Sequence, residues 1–354
     1  MVVMTTQALA NKYVVTCLYG LEAVLADEVR ERLQAEAGTD WCEVGFTFDG
    51  SPARLKELRV AGNVFLEFDR FSIGHTKPDL DTLGARVRRL PLDAWQERWR
   101  ELQELPGNEM SVSVLRRGEH NYSYEDVQER ALEVLAEVAP AKVTLEPRQL
   151  ELRIEIAHDR CRLTGRLTPR PLSERPYKRY RAQGDTDPTL AAAMVRLSAP
   201  TFTDLFLDPF CGIGTIPIER ALWGKVAAVA AGENKEKRVA WAMANAELAS
   251  ASASFACWDA FALPFADRAF SRLVTSPPQS DPVSGQPWQP GDFARLLAES
   301  LRVLQYGGVS VWLLERGPLF KMALKSLGLN YPVERLACSW KGRSWTIYTL
   351  QKVL

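Results

Sequence analysis

Asp208-Pro209-Phe210-Cys211-Gly212-Ile213-Gly214-Thr215 follows a short apolar run, Leu205-Phe206-Leu207, and precedes a helix-like segment. That order reads as the glycine turn closing the first strand of a nucleotide-binding α/β sheet. The missing side chains let backbone approach a ligand, and helix N–H groups point at it. A dinucleotide pyrophosphate fits poorly. Pro217 stands where the third glycine of G-x-G-x-x-G would be, and Asp208 would repel phosphate. An acid at that place suits a ligand with positive charge near the turn, such as an α-ammonium or a sulfonium.

Working outward, Glu233 ends the next apolar run, 226–232, where an ionised carboxylate can hold ribose hydroxyls. Asp259, in Trp258-Asp259-Ala260, ends a candidate third strand, within reach of an adenine amino group. A fourth strand, Arg272-Leu273-Val274, leads into Thr275-Ser276-Pro277-Pro278-Gln279. Two prolines fix the backbone there and leave carbonyls facing a cleft. A planar base amine needs such acceptors, because its lone pair is delocalised into the ring until its protons are held. Charge loss during attack on a methyl sulfonium favours a partly dry site. Gln279 can hydrogen-bond but has no π face, and Trp288, in the proline-rich loop 282–290, is the candidate substitute. Cys211 has no histidine near it in the chain and reads as a small side chain packed under the turn.

A chain of 354 residues holds two or three domains. Its 46% hydrophobic and 25% charged content is that of a globular protein, and zero net charge makes any nucleic-acid surface local. No run approaches a membrane span, and the first twelve residues predict neither a secretory nor an organellar address. Six cysteines without C-x-x-C spacing and three scattered histidines predict no zinc site and a reducing compartment.

Strands are expected at 13–16, 64–68, 111–114 and 150–156, with helices at 20–33 and 125–138. This is an α+β region. Eight basic residues against one acid, Glu174, with prolines 169, 171 and 176, mark 160–181 as a stiff basic connector. Its interleaved Tyr177 and Tyr180 leave a solvated linker and a phosphate contact equally open. From Pro188 the pattern alternates: a helix at 189–198, strands near 204–207, 226–231, 272–275 and 308–314, a helix near 292–304, and two strands across 331–354 joined at Lys341-Gly342-Arg343. That predicts a mostly parallel Rossmann-like sheet with an antiparallel C-terminal hairpin.

These residues resemble the THUMP-domain RNA methyltransferases, over most of the chain. Asp208 to Thr215 is similar to that family's D-P-x-C-G-S-G-T turn, Gly20-Leu21-Glu22 to its opening helix, Arg175 to Arg181 to its R-x-Y-R connector, and Pro188-Thr189-Leu190-Ala191 to the helix before the first strand. By layout the nearest members form N2-methylguanosine in the acceptor stem of tRNA. The resemblance implies a ferredoxin-like domain at 1–70, a THUMP domain at 71–165, a basic linker at 166–188 and an S-adenosylmethionine-dependent methyltransferase domain at 189–354. It implies a cytoplasmic enzyme whose partner is tRNA, gripped at its acceptor stem and 3′ end, with neither metal nor membrane. Ser276, Pro277, Pro278 and Gln279 would handle the base amine. Asp208, Cys211, Gly212, Gly214, Thr215, Glu233, Asp259 and Ala260 would hold the methyl donor. Arg116, Arg117, Arg175, Lys178, Arg179 and Arg181 are the expected RNA contacts. Three positions depart from the family pattern: Ile213, where a small or hydroxyl residue is usual, and, in a tetrapeptide usually N-P-P-Y or D-P-P-Y, Ser276 at the first place and Gln279 where an aromatic is usual. The last leaves open a protein that keeps fold and RNA binding without turnover. A DNA amino-methyltransferase is a further alternative, against which the N-terminal region argues.

Overall fold

The computed structural model describes residues 11–103, 109–139, 142–144, 150–278, 286, 288–315 and 317–354. The chain divides into two units, one drawn from 1–17 and 25–172, the other from 18–24 and 173–354. Among the described residues no helix is long and apolar enough to cross a membrane, and no group of three metal-ligating side chains occurs.

In the first unit eight strands make one mixed sheet among the described residues: β1 (Lys12–Thr16), β2 (Ala37–Asp40), β3 (Glu43–Thr47), β4 (Val64–Ser72), β5 (Glu109–Arg117), β6 (Lys142–Thr144), β7 (Leu150–Ala157) and β8 (Arg160–Arg166). Their order is β2-β3-β1-β4-β8-β7-β5-β6. Along this stretch of chain lie α1 (Glu22–Leu33), α2 (Leu80–Val87), α3 (Leu92–Gln103) and α4 (Tyr124–Val138). The sheet runs through residue 70, since β4 pairs with β8 from Phe65↔Arg166 to Ser72↔Arg160. The segments 1–70 and 71–165 therefore share one sheet.

β8 corrects the expected connector. Its arginines alternate with buried Cys161 and Leu163, a strand's period of two. Arg162 reaches Glu43 (3.0 Å) and Glu155, and Arg166 reaches Glu151 (3.0 Å) and Asn63 (2.7 Å). Acids of β3 and β7 and the Asn63 amide thus absorb the positive charge.

The second unit is a seven-stranded sheet among the described residues: β9 (Leu205–Asp208), β10 (Ala228–Glu233), β11 (Ser254–Cys257), β12 (Phe270–Thr275), β13 (Leu304–Leu314), β14 (Val333–Trp340) and β15 (Arg343–Gln351), in the order β11-β10-β9-β12-β13-β15-β14. β9 to β13 are parallel; β15 is antiparallel to both its neighbours. The helices are α5 (Pro188–Leu197), α6 (Thr215–Trp223), α7 (Glu236–Leu248), α8 (Pro290–Val303) and α9 (Gly317–Ser326). α5 begins on Asp187, whose carboxylate accepts from the Thr189 amide (2.8 Å), with Pro188 in the first turn. α8 and α9 bury Phe293, Leu297 and Phe320 against Leu207, Leu273, Trp312 and Tyr348 of the sheet. Strand order reverses between β9 and β12, so a crevice opens at their carboxyl ends, the usual ligand position in such sheets.

Candidate functional site

β9 ends at Asp208, which lies beneath the glycine turn and is not itself among the cavity's lining residues. Asp208 is fully buried. Its Oδ1 accepts from the Thr275 hydroxyl at the end of β12 (2.9 Å) and from the Phe210 amide (3.1 Å). The two strand ends are thus tied together. Oδ2 is buried with no partner among the described residues. Burial pushes this carboxyl up to about 7 against the pull of its two donors, and the nearby Glu233 charge adds to the rise. An orphaned buried carboxylate oxygen is what a cationic ligand would repair.

The turn that follows separates its two glycines by task. Gly212 has φ +55°, lines the cavity, and faces open space where a Cβ would stand. Gly214, at φ +89°, caps α6, and a Cβ there would lie 3.1 Å from Cβ of Ala242. Gly214→Ala is therefore expected to cost about 1–3 kcal/mol of stability, from left-handed backbone strain and crowding against α7. Gly212→Ala meets strain but no crowding, and should chiefly weaken ligand binding. Urea unfolding and ligand titration of both variants check this; equal stability losses would contradict the division. The Cys211 thiol is pushed well above its ordinary value by burial, then by the Asp208 and Glu233 charges, and stays protonated. It packs; it is no nucleophile.

One cavity of about 730 Å³ is lined by Gly212, Ile213, Thr215, Glu233, Ser276, Pro277 and Pro278 together. Glu233, at the end of β10, has its carboxylate 3.7 Å from Arg238 of α7. The structure does not bring Asp259 or Ala260 to this wall. Asp259 is exposed and caps its own turn, accepting from the Phe261 amide (2.9 Å), and Ala260 lies in the core. Their neighbour Trp258 covers Gly232 instead: a Cβ at 232 would fall 1.7 Å from the indole.

Gln279 lies outside the described residues. Trp288, expected as a replacement base stack, is turned inward. Its Nε1 donates to the Pro278 carbonyl (2.6 Å), and its ring packs against Phe261 and Phe293. It braces the proline loop and does not line the cavity.

Of the expected RNA contacts, Arg175 is buried: its Nε donates to Glu219 of α6 (3.1 Å), which also accepts from the Tyr177 hydroxyl (2.7 Å). Lys178 pairs with Asp185 (2.5 Å), and Asp185 also accepts from the Thr215 hydroxyl (3.1 Å). These bonds hold 182–186 as a wall of the cavity. Arg175 and Lys178 are therefore structural, while Arg179 and Arg181 remain exposed. Arg179 lies over Tyr180 (5.8 Å), Tyr180 stacks on Trp241 of α7 (5.6 Å, 10°), and Lys237 lies over Trp241 (5.0 Å). In the first unit Arg117 is exposed, and Arg116 is half-buried, reaching His120 Nδ1 (3.2 Å).

Several groups that shape the site carry no signal in the sequence. Asn245 of α7 accepts from the Tyr180 amide (3.0 Å) and donates to the Ile213 carbonyl (3.1 Å), clamping connector and turn together. Trp340, Lys341, Arg343 and Trp345 of the last hairpin, with Glu315, form the cavity's remaining side. The Lys341-Gly342 turn announced the hairpin, but nothing in its spacing announced which face meets the cavity.

Residues 175–327 match the RMKL-like methyltransferase domain of the UPF0020 family. The chain is 31% identical over 270 residues to a tRNA (guanine(6)-N2)-methyltransferase of Thermus thermophilus, covering 75% of this chain and 77% of that one. The crystal structure of TrmN from Thermus thermophilus superposes with a TM-score of 0.80 at 26% identity, covering 97% of this chain and 99% of that one. A structure solved in complex with SAH shares the fold at a TM-score of 0.69 and 15% identity, covering 97% and 98%.

Proposed function

The chain belongs to the tRNA guanine-N2 methyltransferase family, and we propose that it moves a methyl group from S-adenosylmethionine to the exocyclic N2 amine of a guanine in tRNA. One observation carries this reading: the glycine turn with Glu233 and the Ser276-Pro277-Pro278 segment border a single cavity. The donor fits the residues present, through the orphaned Asp208 oxygen and the open side of Gly212. S-adenosylmethionine supplies an electrophilic methyl group on a cationic sulfur. Glu233 would accept from its ribose hydroxyls, Asp208 would balance its positive charge from below, and Gly212, Gly214 and Thr215 would shape the turn around it. The Ser276 hydroxyl and the Pro277 carbonyl would accept from the guanine amine. Holding those protons turns the nitrogen lone pair toward the donor and takes up charge arriving on nitrogen.

In this reading residues 1–70 and 71–165 act as ferredoxin-like and THUMP parts that grip the tRNA acceptor stem and 3′ end through Arg116 and Arg117. Arg179, Arg181 and the Tyr180–Trp241 pile with Lys237 give the second unit a basic, stacked RNA surface. The site of action is the cytoplasm.

The test is incubation with bulk unmodified tRNA and labelled S-adenosylmethionine, followed by nucleoside analysis. N2-methylguanosine is expected. Ser276→Ala should lower its formation by about 10- to 100-fold with donor binding unchanged. Tight tRNA binding without any methyl transfer would instead favour the non-catalytic RNA-binding protein that Gln279 leaves open.

A further inference from the structure

The aromatic that a nucleobase would stack on is absent from the Ser276–Gln279 tetrapeptide. Trp288, the first aromatic after it in sequence, is engaged under Pro278. The cavity nevertheless has an indole wall. β14 and β15 are joined by a two-residue turn with both residues at positive φ, Lys341 (+51°) and Gly342 (+70°), which sets the register without slack. Trp340 pairs with Arg343, and Cys338 with Trp345. Side chains alternate between faces, so Trp340, Arg343 and Trp345 share one face. Both indoles border the cavity that Ser276, Pro277 and Pro278 border.

The two rings support each other. Their centroids are 5.2 Å apart at 53°, and Trp345 Nε1 donates to the Trp340 carbonyl (3.2 Å). The Lys341 ammonium lies 4.5 Å from the centre of the Trp340 ring. Arg343 is held by the Glu315 carboxylate (3.1 and 3.4 Å), so the rim is polar and already paired. The Lys341 ammonium thus covers one face of a largely buried indole, and a flat, polar-edged, π-faced ligand entering the cavity would take its place there.

We propose that the β14–β15 hairpin is the nucleobase wall of this site. Trp340 stacks the target guanine, and Trp345 is the positioning residue that fixes the Trp340 backbone and ring. The inference rests on the tRNA methyltransferase reading and deepens it, by moving the stacking role from the tetrapeptide to the last hairpin. The base lies between the indole wall and the Ser276–Pro278 backbone.

The experiment compares wild type with Trp340→Phe, Trp340→Leu and Trp345→Phe, using methyl transfer to tRNA and calorimetric binding of S-adenosylhomocysteine. Trp340→Phe keeps a π face and should keep most activity. Trp340→Leu keeps apolar bulk without one, and kcat/KM for tRNA should fall by about 10- to 100-fold. S-adenosylhomocysteine affinity should stay within about twofold in both, which also shows that the unit is folded. Trp345→Phe loses the hydrogen bond but not the ring, and should fall between them. Leucine transferring methyl as well as phenylalanine overturns the wall while leaving the proposed activity intact. If wild type transfers no methyl to tRNA, the activity fails instead. The wall is then read by quenching of tryptophan fluorescence with millimolar GMP in the presence of S-adenosylhomocysteine. Quenching lost in Trp340→Leu supports it, and quenching unchanged or absent from wild type overturns it.

Discussion

Asp208→Asn should bind S-adenosylmethionine more than tenfold more weakly at pH 8, yet melt at a higher temperature than wild type when no ligand is present. The two effects share one cause. A fully buried carboxyl raised from an ordinary 3.8 to about 7 is held in its neutral form by the fold. Such a group favours the native state below about pH 4 and loses that contribution as pH rises through about 7. The gap between the two values corresponds to about 4 kcal/mol. Asparagine cannot ionise, so it removes this penalty at pH 8. It also places an amide donor where Oδ2 has no partner, at a cost of about 1–3 kcal/mol. The balance is a ligand-free protein about 1–3 kcal/mol more stable at pH 8 and little changed at pH 5. A cationic donor reverses the preference, because it stabilises the carboxylate. Wild type should therefore release a proton on binding below pH 7, and its affinity should fall by up to about tenfold per pH unit there. Calorimetry in buffers of different ionisation enthalpy reads that proton directly. Equal affinity and no proton release in wild type and Asp208→Asn would mean that the donor's charge is balanced elsewhere.

The parts of the fold visible in the sequence are those where period and punctuation agree. Leu205-Phe206-Leu207 ending at Asp208 and a double-glycine turn specify a strand, a bend and a helix start, and β9 and α6 are found there. The C-terminal hairpin was legible for the same reason, because Lys341-Gly342 sits between two apolar runs. Legibility failed where two signals competed. Arg162 and Arg166 read as part of a connector when charge outweighs period, yet the acids that neutralise them come from residues 43, 151 and 155. No local window contains that information. In the candidate site, too, packing adds what spacing does not show. Asp259 has the spacing of a ligand-binding acid, but the bulky Trp258 beside it settles over Gly232, and the chain turns with Asp259 in solvent. Trp340 and Trp345 belong to the cavity through sheet register, with β15 lying between β14 and β13. Asn245 acts across 32 residues of sequence to reach the glycine turn. Contacts of that separation are fixed by packing and have no signature of their own.

Breaking the Glu219 cluster should strongly destabilise the second unit. Glu219 is buried on α6, one helical turn past the glycine bend, and accepts from Arg175 and Tyr177 of the connector. Glu219→Ala takes away the carboxylate that accepts from the buried Arg175 guanidinium and from the Tyr177 hydroxyl. Removing one partner of a buried pair costs about 3–5 kcal/mol, far more than the pair contributes over an apolar substitute. The double variant Arg175→Met, Glu219→Leu should accordingly recover most of the loss. Glu219→Gln, which keeps an acceptor, should fall between. The functional consequence follows the chain: the connector continues into 182–186, which walls the cavity and is fastened to Thr215 through Asp185. Loosening its start should weaken donor binding in Glu219→Ala, even at temperatures where the unit is folded, and the double variant should restore it. Arg179→Ala and Arg181→Ala provide the contrast. Both side chains are exposed, so stability should change by less than about 0.5 kcal/mol. The salt dependence of tRNA binding should flatten, since each removes a candidate phosphate contact. Urea unfolding, S-adenosylhomocysteine titration and tRNA binding at two salt concentrations separate these outcomes. A Glu219→Ala protein as stable as wild type would show that the connector's first residues are not anchored on α6 at all.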